Sequence, residues 1–200
     1  MTDKQTIDTY NANVSAYRAL VDKLPEIKHI QHFVSLVPPG ATILDFGCGV
    51  GNAAAEMKKA GLNLVCVDAS AEMVRTAREL FGVAATVSTF ADLDAVQAFD
   101  GVWANFSLLH APKADFAGHL NAIHTALKPG GLFFIALKIG DGEHRDKLGR
   151  LYAYYREEEL DEILQNCGFI PGEKRFGALK GMAGDVEDWI GVFSRKPALP

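Results

Sequence analysis

With 200 residues and 48% apolar side chains, the chain can bury one full hydrophobic core, and a single domain over residues 1–200 is expected. A formal charge of −5, with no run of lysines or arginines, points away from nucleic acid as a partner. Three widely spaced cysteines, Cys48, Cys66 and Cys167, and no CxxC pair or histidine cluster argue against a disulfide framework and against a zinc or iron site.

The first fifteen residues, MTDKQTIDTYNANVS, hold no apolar stretch, and no later run is long enough to cross a membrane, so a cytoplasmic protein is expected. From Tyr10 to Val37, apolar residues recur at helical spacing. Val14, Tyr17, Leu20, Val21 and Leu24 form one stripe, Ile27, Ile30, Phe33, Val34 and Val37 another, and Pro25 separates them. Two amphipathic helices are predicted, stopped by Pro38-Pro39-Gly40.

ATILDF then reads as a buried strand, followed by a helix from about Asn52 to Ala60 that ends at Gly61. LNLVCVD is a second strand. SAEMVRTAREL is a helix with Ser70 as N-cap, its capping box incomplete because Met73 stands three residues on. AATVSTF and FDGVWANFSL are strands three and four, and a helix from about Ala114 to Leu127 closes at Lys128-Pro129-Gly130-Gly131. GLFFIALKI is strand five. After helix REEELDEILQNC, a strand from Phe169 to Phe176 and a last strand in DWIGVFSRK are joined by a short turn, which predicts an antiparallel hairpin at the sheet edge. Strands separated by helical crossovers give an α/β fold with helices on both faces of a mainly parallel sheet.

The chemistry-bearing segment is the first strand's exit, Asp45-Phe46-Gly47-Cys48-Gly49-Val50-Gly51, directly before a helix. Glycines let a ligand approach backbone amides, and the helix N-terminus presents unpaired N–H groups. Alone, such a cluster is a weak signal, with a tight βα turn as the alternative reading. Asp68, ending the next strand 23 positions after Asp45, stands where an acid accepts from both ribose hydroxyls. The dinucleotide fingerprint needs a glycine where Asn52 stands, and the carboxylate of Asp45 would repel a pyrophosphate but attract an amino group.

LDFGCGVGN resembles the first motif of class I S-adenosylmethionine-dependent methyltransferases. VCVDAS (65–70), FADL (90–93), FDGVW (99–103) and LKPGG (127–131) are similar to the family's later landmarks and occur in the same order. The resemblance spans about residues 41–139. It implies a Rossmann-like, seven-stranded, mainly parallel sheet with an antiparallel last strand, an α/β core over 38–200 and a helical lid or cap over 1–37.

The same resemblance implies S-adenosylmethionine as cofactor. Gly47 and Gly49 would approach its methionine part, Asp45 would hold the ammonium, and Asp68 would hold the ribose diol. Ala69 and Met73 would lie beside the adenosine, Asp92 and the Leu93 amide would meet the adenine edge, and Asn105 would offer a backbone contact. Asp92 has an Asx-turn residue as its alternative reading, and Met73 reads equally as core.

The implied activity is methyl transfer to a small-molecule acceptor, with S-adenosylhomocysteine released. The alternatives are a non-catalytic S-adenosylmethionine binder or a methyltransferase of protein or nucleic acid. His110, just after strand four, is the candidate general base; a structural histidine is the competing reading. The polar segment GDGEHRDKLGRLYAYY (140–155) is either a solvated loop or a cover over the acceptor. In the second case His144, Arg145, Arg150, Tyr152 and Tyr155 would face the acceptor, with Tyr10, Tyr17 and Arg18 opposite, and arginine would suit an anionic acceptor.

Overall fold

The computed structural model describes residues 3–21 and 27–198. Strands β1 (Thr42–Phe46), β2 (Asn63–Asp68), β3 (Ala85–Val87), β4 (Phe99–Asn105) and β5 (Leu127–Lys138) pair in parallel. Helices α4 (Asn52–Lys59), α5 (Ala71–Phe81) and α6 (Lys113–Ala126) lie between successive members of this series. A small hairpin, β6 (Glu143–Arg145) and β7 (Leu151–Ala153), precedes α7 (Glu157–Asn166), β8 (Ile170–Lys180) and β9 (Val186–Arg195).

The sheet order is β3-β2-β1-β4-β5-β9-β8, with β9 antiparallel to both neighbours, so the expected seven-stranded sheet with an inverted last strand is present. Alternate residues of the inner strands feed two cores. Leu44, Phe46, Val102, Ala104, Phe133 and Ile135 pack with Phe116 and Leu120 of α6 and Leu160 and Leu164 of α7. Ile43, Trp103, Phe134 and Ala136 pack with Phe33 and Met57 on the other face. The chain runs outward in opposite directions from β1 and β4, and in such a sheet the crevice beyond the strand C-termini at that switch point takes the ligand.

Three helices precede β1 where two were predicted: α1 (Lys4–Ala12), α2 (Val14–Val21) and α3 (Ile27–Ser35). The break falls at Asn13, whose backbone N–H donates to the Tyr10 carbonyl and whose side chain donates to Thr9 O, a local bond that competes with the helical ladder. The stripe of Val14, Tyr17, Leu20 and Val21 is real, yet α2 buries none of its residues, because Tyr17, Leu20 and Val21 face a cavity rather than the core. Leu24 and Pro25 lie outside the described residues. In α3, Ile30 and Phe33 enter the core beneath the sheet.

Two strands end sooner than their composition suggests. β3 stops at Val87, and Phe90–Asp92 form a 3-10 turn closed by Thr89 and Asp92. β4 stops at Asn105, because Phe106 adopts a left-handed conformation (φ 53°). Such backbone in a bulky residue is strained and clusters where a site must be shaped. Segment 140–155 is divided: residues 141–145, 147 and 148 are exposed, whereas Tyr152, Tyr154 and Tyr155 are all buried, their ring bodies joining the first core. No helix of the described residues is long and apolar enough to cross a membrane.

Candidate active site

Two adjoining cavities open at the switch point, and Tyr10, Tyr17, Gly47, Asn105, Phe106 and His110 line both. The one on the β2 side is also lined by Gly49, Asp68, Ala69, Met73 and Phe90. The one on the β5 side is also lined by Asp45, Asn52, Trp103, Lys138, Arg150, Tyr152, Glu187 and Trp189.

The glycine loop is built by close approach. Gly47 has φ 88°, and a Cβ there would stand 2.3 Å from Cβ of Ser107, whose hydroxyl donates to Phe46 O at 2.6 Å. At Gly51 (φ 86°) a Cβ would stand 2.9 Å from that of Ala77, so the early third glycine lets α4 and α5 meet. Gly51 caps α4 with no side-chain bond to its first amides. At Gly49 the ring of Tyr17 lies 3.3 Å from where a Cβ would be, so α2 roofs the loop.

The two acids are placed differently. Asp68 accepts from Gly49 N–H through one carboxylate oxygen and from Ser70 N–H through the other, both at 2.8 Å. These bonds aim the carboxylate at the cavity and leave lone pairs for a diol. Burial raises its pKa against the lowering effect of those two amides. Asp45 is 2% exposed, and its Oδ2 has no hydrogen-bond partner. Burial, and secondarily the charge of Asp68, push its pKa up to about 8. A buried carboxyl oxygen without a partner is costly unless a ligand supplies one.

At the seam, the His110 Nε2 lies 2.8 Å from the Tyr10 hydroxyl and its Nδ1 lies 2.6 Å from Leu151 O. Arg150, 2% exposed, donates to the same hydroxyl at 2.9 Å and to Asp146 Oδ2 at 2.6 and 3.0 Å. Burial lowers the His110 pKa to about 3. Helix α1 is tied down around this pair. Asp3 takes two bonds from Arg145, at 2.7 and 3.0 Å, Thr6 Oγ1 accepts from Leu151 N–H, and Asn11 accepts from the Ser70 hydroxyl.

Of the cofactor candidates, Asp45, Gly47, Gly49, Asp68, Ala69, Met73 and Asn105 converge on the cavities, Met73 while also buried. Asp92 and Leu93 fall outside both linings. Asp92 is exposed and accepts from the Thr89 N–H and hydroxyl, the Asx-type role, while Phe90 of the same turn faces the cavity.

Of the acceptor-side candidates, Tyr10, Tyr17, Tyr152 and Arg150 line the β5-side cavity. Arg18 lies against α5 on another face, His144 is exposed and stacks on Tyr154, Arg145 holds Asp3, and Tyr155 packs on Phe116 in the core. Arg150 is committed to Asp146, so the expected anion-binding arginine is already neutralised. Lys138, Glu187, Met182 and Trp189 were missed; they come from β5 and the β8–β9 hairpin and carry no local motif.

The crossover sheet, the glycine loop and the paired acids define a Rossmann-like domain for a nucleoside cofactor. Residues 43–131 match the family described as a methyltransferase domain. The chain is 30% identical over 159 residues to the 2-methyl-6-phytyl-1,4-hydroquinone methyltransferase of Synechocystis sp., covering 76% of this chain and 46% of that protein. It is 35% identical over 108 residues to the ubiquinone biosynthesis O-methyltransferase of Xanthomonas axonopodis pv. citri, covering 50% and 44%. The chain thus spans under half the length of these curated relatives. Its fold superposes with a TM-score of 0.78 on the Burkholderia thailandensis 1,6-didemethyltoxoflavin-N1-methyltransferase bound to 1,6-didemethyltoxoflavin and S-adenosylhomocysteine, at 23% identity, covering 96% of this chain and 88% of that one. The chain belongs to the class I S-adenosylmethionine-dependent methyltransferase superfamily.

Proposed function

We propose that the protein transfers the methyl group of S-adenosylmethionine to a small-molecule acceptor. The observation that carries this reading is the partnerless, buried Oδ2 of Asp45 on one side of a glycine cradle whose other side is Asp68. That arrangement fits a molecule with an ammonium at one end and a ribose diol further along. Asp45 holds the ammonium, Gly47 and Gly49 admit the methionine backbone, Asp68 holds the diol, and Ala69, Met73 and Phe90 enclose the adenosine. S-adenosylmethionine supplies an electrophilic methyl on a sulfonium, ready for in-line displacement.

The chain's own contribution is positioning, exclusion of water and removal of a proton. The roof of α1 and α2 covers the crevice. The neutral His110 is the base, reached through the Tyr10 hydroxyl: Tyr10 passes its proton to Nε2 as it takes one from the acceptor. The quinone and heterocycle names of the relatives support a small acceptor, as does the enclosure of the second cavity by helices and hairpins. Three buried free cysteines agree with a reducing compartment, and we place the protein in the cytoplasm.

Calorimetric titration with S-adenosylmethionine, S-adenosylhomocysteine and NAD tests the cofactor. Micromolar binding of the first two and none of NAD is expected; the reverse pattern would refute the reading. Transfer of labelled methyl into small-molecule extracts, with peptides and RNA as comparison classes, then tests the activity, and cofactor binding without transfer to any class would indicate a binding protein.

A further inference from the structure

Among the described residues, the two cations lining the β5-side cavity are each bonded to a carboxylate. Lys138, at the end of β5, is ion-paired with Glu187 of β9, and its ammonium sits 3.4 Å from the centroid of the Tyr152 ring. Glu187 also accepts from the Tyr154 hydroxyl at 2.7 Å. Lys138 and Glu187 side chains are only 12% and 26% exposed, so the pair is set into the wall rather than waving in solvent. Arg150 is matched by Asp146 in the same manner. The same cavity is lined by Tyr17, Phe106, Met182 and Trp189, which present aromatic and apolar surface.

Resting on the reading of this cavity as the acceptor site, we propose that the acceptor is an uncharged, planar aromatic molecule with one transferable hydroxyl or N–H. The Lys138–Glu187 pair is the element that rejects carboxylated and phosphorylated analogues. An anionic substituent entering here gives up its hydration and meets Glu187 as closely as Lys138, so the Coulomb gain does not offset desolvation. A neutral ring surrenders little hydration and meets aromatic edges and faces on several sides.

The test uses 2-naphthol, 6-hydroxy-2-naphthoate and decahydro-2-naphthol as probes, titrated by NMR into the whole protein with and without saturating S-adenosylhomocysteine. The expectation is that 2-naphthol binds about 10-fold or more tighter than either of the others. Glu187→Gln, which leaves Lys138 without its counter-charge, should improve naphthoate binding relative to naphthol by about 10-fold; Lys138→Met should weaken naphthoate further. No binding of 2-naphthol, naphthoate or the saturated alcohol binding as tightly as 2-naphthol in the wild type, or an unchanged ratio in both variants overturns the proposal. Failure of S-adenosylhomocysteine to bind refutes the cofactor reading instead, and the titrations of the free protein still decide the acceptor class.

Discussion

Tyr10 and His110, a hundred residues apart in the chain, share a 2.8 Å hydrogen bond at the seam between the two cavities. The bond's direction follows from its neighbours. The Leu151 carbonyl can only accept, so His110 Nδ1 carries the hydrogen. Arg150 donates to the Tyr10 oxygen, which leaves that hydroxyl's proton for Nε2. A neutral imidazole with its basic nitrogen turned to the seam is the result, consistent with a pKa held near 3 by burial.

Since His110 stays neutral well below its ordinary value, log kcat/KM for the acceptor at saturating S-adenosylmethionine should show no limb near pH 6.5 and stay flat from about pH 5 upward until another group titrates. A bell with an acid limb at 6.5 would contradict the proposed state. Tyr10→Phe and His110→Ala should each lower kcat about 10²–10⁴-fold. S-adenosylhomocysteine affinity should fall far less, and equal losses in both measurements would make the pair structural.

Asp45 has a pKa pushed up to about 8, so in the free protein at pH 7 it is mostly protonated, whereas in the unfolded chain it is ionised. The fold therefore loses stability as pH rises from about 4 towards 8, by an amount on the order of a few kcal/mol. Asp45→Asn should raise Tm by about 2–4 °C for each kcal/mol relieved while weakening cofactor binding about 10–100-fold. A variant with unchanged Tm and unchanged affinity would refute both roles.

An ammonium bound beside Asp45 favours the ionised carboxyl, so cofactor binding should release a proton and tighten as pH rises to about 8. Calorimetry in two buffers of different ionisation enthalpy measures the release directly. Affinity independent of pH between 6 and 8 would show that Asp45 does not face the charge.

Asp68→Ala removes a diol acceptor and also the partners of the Gly49 and Ser70 amides. At least a 10-fold loss of S-adenosylmethionine affinity is expected, with circular dichroism of the fold retained. Undiminished affinity would exclude the ribose contact.

Gly47→Ala places a methyl 2.3 Å from Ser107 Cβ at φ 88°, and a loss of about 2–3 kcal/mol is expected in denaturant unfolding. Gly61→Ala has a similar φ of 84° but meets open space, so only the backbone strain of about 1–2 kcal/mol should register. Equal losses at the two positions would mean that the loop is not set by its contact with Ser107.

Whatever depends on local order was readable from the residues alone. The alternation of apolar runs with helical spacing gave the β–α series, Ser70 was legible as an N-cap, and the hairpin at the sheet edge followed from two strands with no helix between them. Asp45, the glycines and Asp68 were legible as one cluster because a strand exit, a tight turn and the end of the next strand follow one another within one βαβ unit. Asp92 was ambiguous because the same residue type serves an Asx turn, and it bonds Thr89 in that manner. Tyr155 lies in the core rather than at the cavity because a tyrosine ring body favours a core as much as a lid, whereas Tyr152 joins the core and still lines the cavity.

The acceptor side was decided only by tertiary structure. Tyr10, His110, Lys138, Arg150 and Glu187 come from helix α1, the turn after β4, the end of β5, the β6–β7 hairpin and β9, and no spacing in the chain links them. Their meeting depends on the inverted insertion of β9 beside β5 and on α1 being bonded to the β6–β7 hairpin. Whether Arg150 is a free cation or a neutralised one depends on Asp146 and the burial around it, quantities set by packing and absent from composition. The cofactor side could be read from a sequence of neighbours, because one short unit builds it; the acceptor side could not, because five distant segments do.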